Sequence, residues 1–179
     1  MRVITGKLKG RHFAVPQTFK ARPTTDFAKE NLFNVLMNHI DFEQTEALDL
    51  FAGTGSISLE LVSRGCRRVV SIERDPAHFA FIRSVRAKVG EDCWTVVRQD
   101  ALRIARKGTQ TFDLVFADPP YALHGIDTLP RTILDGSLLR PGALLVVEHG
   151  GDQDFSALPE FIEHRSYGSV HFSFFKKEG

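Results

Sequence analysis

Asp118-Pro119-Pro120-Tyr121, placed directly after the apolar run Phe112 to Ala117, carries the residue types needed to alkylate a planar amino group. The nitrogen of an exocyclic NH2 is a poor nucleophile because its lone pair is delocalised into the ring. Two acceptors that each take one N–H draw that nitrogen towards a pyramidal shape and aim the lone pair outward. Asp118 supplies a carboxylate and Pro119 a backbone carbonyl, held by the stiff unit it forms with Pro120. Tyr121 can stack on the base and keep it in line. Asp and Pro are also ordinary loop residues, so the chemical reading depends on a second block upstream.

That block is Ala47-Leu48-Asp49-Leu50-Phe51-Ala52-Gly53-Thr54-Gly55-Ser56, followed by Ile57, Leu59, Leu61 and Val62 at helical spacing. It reads as a buried strand, a glycine turn and a helix beginning near Ser56. Gly53 and Gly55 let the backbone approach a ligand closely, and a helix N-terminus favours polar or anionic groups. Phe51 and Ala52 line the same turn. Glu73, 18 positions after Gly55 at the end of the next apolar run, can accept both hydroxyls of a ribose, with Arg74 beside it. The glycine pattern alone is a weak dinucleotide fingerprint. Asp49, inside the strand end, suits an amino acid ammonium better than a pyrophosphate, and the Asp-Pro-Pro-Tyr element has no task in hydride transfer. In an open parallel sheet all these groups converge on one rim, at the carboxyl ends of the strands.

With these residues on the page, the chain resembles the class I S-adenosylmethionine-dependent methyltransferases that modify amino nitrogens of nucleobases. Arg22-Pro23-Thr24-Thr25-Asp26 and Glu30-Asn31-Leu32-Phe33-Asn34-Val35-Leu36 narrow the likeness to the bacterial RsmD-like family, the small-subunit ribosomal RNA guanine-N2 methyltransferases. It extends from Ile4-Thr5-Gly6 and Lys9-Gly10-Arg11 to the final strand. The resemblance implies S-adenosylmethionine as cofactor and 16S ribosomal RNA as substrate, free or within the small subunit. It also implies that Arg22 and Thr24 lie over the cofactor. Many members carry a basic residue where this chain has Phe27. The residues alone leave open an adenine-N6 methyltransferase acting on DNA or RNA, and a nicotinamide-dependent oxidoreductase or non-catalytic nucleotide-binding module.

Charge is segregated along the 179 residues, although the formal net is only +1. Arg2, Lys7, Lys9, Arg11, Lys20 and Arg22 give residues 1–22 six cations and no acid, leaving 17 cations against 22 acids in residues 23–179. A basic arm on an acidic body reads as a polyanion contact, and Lys7, Lys9, Arg11 and Arg22 are the expected RNA contacts. Val3-Ile4-Thr5 and His12-Phe13-Ala14-Val15 around Gly6 to Gly10 predict a β-hairpin. Residues 23–179 are expected to form the methyltransferase domain. The hydrophobic content of 42% supports a core, no apolar run approaches the roughly 18 residues of a membrane span, and the start has no apolar signal core. A cytoplasmic monomer is expected. Cys66 and Cys93 read as free thiols, and no histidine spacing suggests a metal.

The elements that must position these groups alternate. A helix capped by Thr24 or Thr25 after Pro23 runs to about His39; strands 47–51, 69–73, 94–98 and 112–117 interleave with helices 56–64, 76–89 and 100–106. A helix near 125–135, a strand at 143–148, a short helix around 154–160 and strands at 162–167 and 169–176 complete the chain. The expected fold is a doubly wound Rossmann-like α/β sheet of seven strands, mostly parallel, with an antiparallel C-terminal edge hairpin. Asp100, with Ala101 beside it, can accept the adenine amino group, cap the following helix, or do both. Glu148-His149 reads as a polar strand end, since methyl transfer from a sulfonium needs no strong base.

Overall fold

The structure is a computed structural model that describes residues 1–20 and 24–179. The expectations for Arg22 and Pro23 lie outside the described residues. After the N-terminal arm come α1 (Asp26–Leu36), β1 (Glu46–Asp49), α2 (Ser56–Ser63), β2 (Arg68–Ile72), α3 (Pro76–Val89), β3 (Trp94–Val97), α4 (Ala101–Lys107) and β4 (Phe112–Ala117). Then follow α5 (Leu129–Asp135), β5 (Leu139–His149), β6 (Phe161–Tyr167) and β7 (Val170–Lys176). The seven strands form one sheet in the order β3-β2-β1-β4-β5-β7-β6. Strands β1 to β5 run parallel, while β7 pairs antiparallel with both β5 and β6. The winding reverses between β1 and β4, so a crevice is expected outside the carboxyl ends of those two strands.

Parallel strands buried on both faces are apolar in nearly every position, which is why they read so clearly as runs. One face packs Phe116, Val146, Phe172 and Phe174 against Val3, Leu8 and Phe13 of the arm, Leu32 and Phe33 of α1, Leu59 of α2 and Ile82 of α3. The other packs Leu48, Val115 and Leu145 against Ala105 of α4 and Ile133 and Leu134 of α5. Among the described residues no helix is long and apolar enough to cross a membrane.

Three expectations about elements are corrected. No helix forms over 154–160. Asp154 instead accepts the Ser156 amide at 2.9 Å, and Leu158 and Phe161 close i→i−3 turns onto Phe155 and Leu158. Pro159 offers no N–H to continue a helix. Second, β5 starts at Leu139, four residues early, because Leu139 pairs with Phe112 before a register shift that accommodates Pro141 and Gly142. Third, the first helix stops at Leu36, with Asn38 and His39 donating to Val35 and Leu36 in tighter i→i−3 bonds.

The arm is a hairpin closed by a single bridge, Arg2 to His12, with Val3 donating to the Arg11 carbonyl at 3.0 Å and Phe13 to Met1 at 2.9 Å. The amides of Ile4 and Thr5 turn instead to the buried carboxylate of Glu60 on α2, at 2.9 and 3.0 Å. Lys29 of α1 is also buried, donating to the Arg2 carbonyl at 2.5 Å and to Ser56 Oγ at 3.0 Å. Arm, first helix and glycine turn are therefore tied together at one ammonium group.

Candidate active site

Strand register brings three carboxyl groups onto one face of the rim. Asp49 pairs with Phe116 across β1 and β4, and Asp118 follows Phe116 by two residues. Side chains alternate along a strand, so both point to the face of α1, α2 and α3. Ala117 pairs with Val147 at the end of the β4–β5 ladder, which sets Asp118 beside Glu148 on the same face.

Asp49 is buried, and its Oδ2 accepts the Ser58 hydroxyl at 2.6 Å. Ser71 donates to Ser58 at 2.6 Å, and the indole N–H of the fully buried Trp94 donates to Ser71 at 2.8 Å. This chain of donors fixes one oxygen of Asp49, while the other, Oδ1, is buried without a hydrogen-bond partner among the described residues. An orphaned carboxylate oxygen is costly unless a donor arrives. Burial, with Glu73 adding negative charge and Ser58 opposing, pushes its carboxyl up to about 7. An ammonium group is the donor that such a site takes best.

The glycine turn supplies the floor beside it. Gly53 has φ +57° with open space where a Cβ would project, and Gly55, at φ +79°, backs onto Ile82. Glu73 accepts the Gly53 amide at 2.8 Å through Oε2 and the Asp75 amide at 2.8 Å through Oε1, which orients its carboxylate along the turn. Each oxygen keeps a further lone pair for a hydroxyl. Phe51 is half-buried, Ala52 is buried, and Arg74 is exposed just past Glu73. Asp100 caps α4, its Oδ1 accepting the amides of Leu102 and Arg103 at 2.8 and 3.3 Å, and Ala101 is buried behind it. The helix-cap reading of Asp100 holds, and its second oxygen has no recorded partner among the described residues. The residues fit the amino acid end, the ribose and the base of S-adenosylmethionine at β1, β2 and α4 respectively.

Asp118 is half-buried at the mouth, with Pro119 buried, Pro120 exposed and Tyr121 59% exposed. Burial first, and then the nearby carboxyls of Glu148 and Asp49, hold the Asp118 carboxyl well above the usual range. Glu148 is 5% exposed, and burial pushes it up to about 7, with Asp49 adding to the shift and a 3.2 Å hydrogen bond from the Thr24 hydroxyl opposing it. Thr24 therefore sits against Glu148. His149, next along β5, points to the other face, where it bonds Ser173 at 2.8 Å and stacks with His164 and His171. By sequence Glu148 reads only as a polar strand end, and Lys29 and Ser71, which stand in no motif, are not singled out. Glu148 shares only its strand-end position with Asp49 and Asp118.

Of the expected RNA contacts, Lys7 and Arg11 lie apart from the rim, and Arg22 is outside the described residues. Lys7 pairs with Glu91, just past the C-terminal end of α3, at 2.6 Å, and Arg11 donates to the carbonyl of Lys88 in the last turn of α3 at 3.2 Å, while Lys9 is exposed. Phe27 is 66% exposed and meets Tyr167 edge to face, with ring centroids 6.0 Å apart. Among the described residues no cluster of three or more metal-ligating side chains occurs.

Residues 1–176 match the family described as Conserved hypothetical protein 95. Ribosomal RNA small subunit methyltransferase D of Escherichia coli K12 is 31% identical over 182 residues, covering 99% of this chain and 90% of that protein. The Haemophilus influenzae protein of the same name is 32% identical over 157 residues, covering 86% and 80%. A solved hypothetical protein from Thermus thermophilus superposes with a TM-score of 0.84 at 28% identity, covering 98% of each chain. The T. thermophilus 16S rRNA N2 G1207 methyltransferase RsmC, solved with AdoMet and guanosine, shares the fold, with a TM-score of 0.71 at 22% identity over 92% of this chain and 46% of that one. This chain belongs to the Conserved hypothetical protein 95 family, the RsmD-type ribosomal RNA methyltransferases.

Proposed function

We propose that this protein transfers a methyl group from S-adenosylmethionine to the exocyclic N2 of a guanine in 16S ribosomal RNA. The observation that carries the reading is the pairing, on one face of the rim, of an orphaned Asp49 oxygen with the acceptor Asp118 at the neighbouring strand end. Family membership supports ribosomal RNA as the substrate, and the RsmD resemblance supports guanine. A nicotinamide dinucleotide would bring its pyrophosphate to a glycine turn beside the buried carboxyl of Asp49, which offers an acceptor where a phosphate needs donors.

When bound, S-adenosylmethionine supplies a methyl group on a positively charged sulfur, an electrophile that needs little further activation. The chain's part is positioning and polarisation. Asp49 Oδ1 receives the ammonium, Glu73 the ribose hydroxyls, and Asp100 the adenine amino group. Thr24 helps to close the mouth over the cofactor. Asp118 and the Pro119 carbonyl each accept an N2–H of a base turned out of its strand, Pro120 stiffens the loop, and Tyr121 stacks on the ring. Asp118, held above the usual carboxylate range, can take the proton that N2 gives up. Lys7, Lys9, Arg11 and Arg22 contact phosphates on the flanking RNA.

Mass mapping of ribosomal RNA from cells lacking the protein tests this. One N2-methylguanosine in the small-subunit RNA should disappear and return on complementation. Loss of N6-methyladenosine instead would replace guanine by adenine, and an unaltered methylation map would overturn the reading.

A further inference from the structure

Glu148 borders Asp118 on the side away from Asp49, and the reaction as written gives it no task. We propose that Glu148 is the residue that reads guanine, its carboxylate accepting the N1–H of the target base while Asp118 accepts from N2. This inference rests on the guanine-N2 reading above and names what enforces it.

The β4–β5 ladder ends at Ala117 and Val147, so Asp118, just past β4, and Glu148, still within β5, follow a paired register on neighbouring strands whose axes lie about 4.8 Å apart. Both face the same layer. Glu148 is 5% exposed, and among the described residues only the Thr24 hydroxyl, on Oε2 at 3.2 Å, donates to it; Asp118 has no recorded donor. A carboxylate has about four lone-pair sites, so Glu148, with one hydroxyl donating to it, keeps sites for a ligand's donors. With Asp118 half-buried beside it, the two carboxyls form an acceptor edge at adjacent strand ends that is open to a ligand's donors.

Guanine presents N1–H and the N2 amino group next to each other, and both are donors. Adenine presents its amino group next to an unprotonated N1, which would meet Glu148 lone pair to lone pair. A site built to receive a donor rejects an analogue lacking it, because the buried acceptor is then left unpaired. The same pair of side chains thus accepts guanine and disfavours adenine. Burial holds Glu148 near neutrality at about 7, so an arriving N–H also stabilises the ionised, accepting form. Thr24 fixes Oε2 and leaves Oε1 for the base.

The test uses two synthetic RNAs spanning the mapped nucleotide, one with guanine and one with 2-aminopurine at the target position. The analogue keeps the 2-amino group and lacks N1–H. Wild-type kcat/KM should favour guanine by about 10- to 100-fold, the size of one hydrogen bond to a charged group. In Glu148→Gln the preference should fall to within roughly threefold of unity, because the amide can donate to the unprotonated N1. Equal losses on both RNAs, with the ratio unchanged, would make Glu148 a structural residue only and overturn the proposal. Should the variant fail to fold, the wild-type ratio decides by itself, and a value near unity overturns it equally. Failure of the guanine-N2 reading looks different, since the wild-type protein would then leave the guanine RNA unmethylated.

Discussion

Asp49 concentrates the cost of this site in one side chain. Its carboxyl titrates at about 7 against an ordinary 3.8, which corresponds to on the order of 4 kcal/mol. The folded chain binds this proton more tightly than the unfolded chain, so the group favours folding below its unfolded pKa. That advantage is lost as pH rises towards about 7. Thermal melts of the ligand-free protein should therefore show Asp49→Asn gaining Tm relative to the wild type as pH rises from 4 to 7.5, because Asn has no charge to bury. A difference in Tm that stays constant over that range would contradict the burial account. Glu46 works with the opposite sign: hydrogen bonds from Arg140 and Arg67 hold it at about 2, so its contribution is present above its ordinary 4.5 and is lost as pH falls from there through about 2. The difference between variant and wild type isolates Asp49 from that background.

Elements were legible where a period or a turn signal was strong. The buried strands, α3 over Pro76–Val89 and the antiparallel placement of β6 and β7 follow from apolar runs, their alternation and the tight spacing around Gly168, and Thr25 caps α1. The segment 154–160 misled because its apolar residues suit a helix, while Asp154 and Pro159 favour turns. The arm's hairpin was legible, but its reduction to one bridge was not, because Glu60, far along the chain, takes the amides of Ile4 and Thr5. Glu148 reads only as a polar strand end because strand register alone sets it beside Asp118. At the glycine turn the two positive-φ residues separate stability from binding. Gly53→Ala should keep the fold, with about 1 kcal/mol of backbone strain, and weaken S-adenosylmethionine binding in calorimetry, since its Cβ enters open space on the ligand side. Gly55→Ala should mainly lower Tm, because its Cβ meets Ile82 at 3.1 Å. Reversal of the two effects would misplace the ligand.

Across the whole molecule, the arm's charge is partly spent within the fold. Lys7 is paired with Glu91, Arg2 with Asp26 at 3.0 Å, and Lys29 is buried beneath Arg2. Neutralising Lys7, Lys9 and Arg11 together should reduce the slope of log K for RNA against log salt by up to about 3, with Lys7 contributing least. An unchanged slope in filter-binding titrations would remove the arm from the RNA interface. Core, arm and rim depend on each other through α2, whose first residue holds Lys29 and whose last turn holds the arm. The charge asymmetry was visible in the sequence, but its pairing was not. The central claim is nevertheless a local one, that Asp118 orients and polarises the amino nitrogen while other residues hold the cofactor. Asp118→Ala, measured by calorimetry with S-adenosylmethionine and by single-turnover methylation of the mapped RNA, tests it most directly. Cofactor affinity should stay within a few-fold of wild type while transfer falls by roughly 10²- to 10⁴-fold; transfer at the wild-type rate would contradict the account.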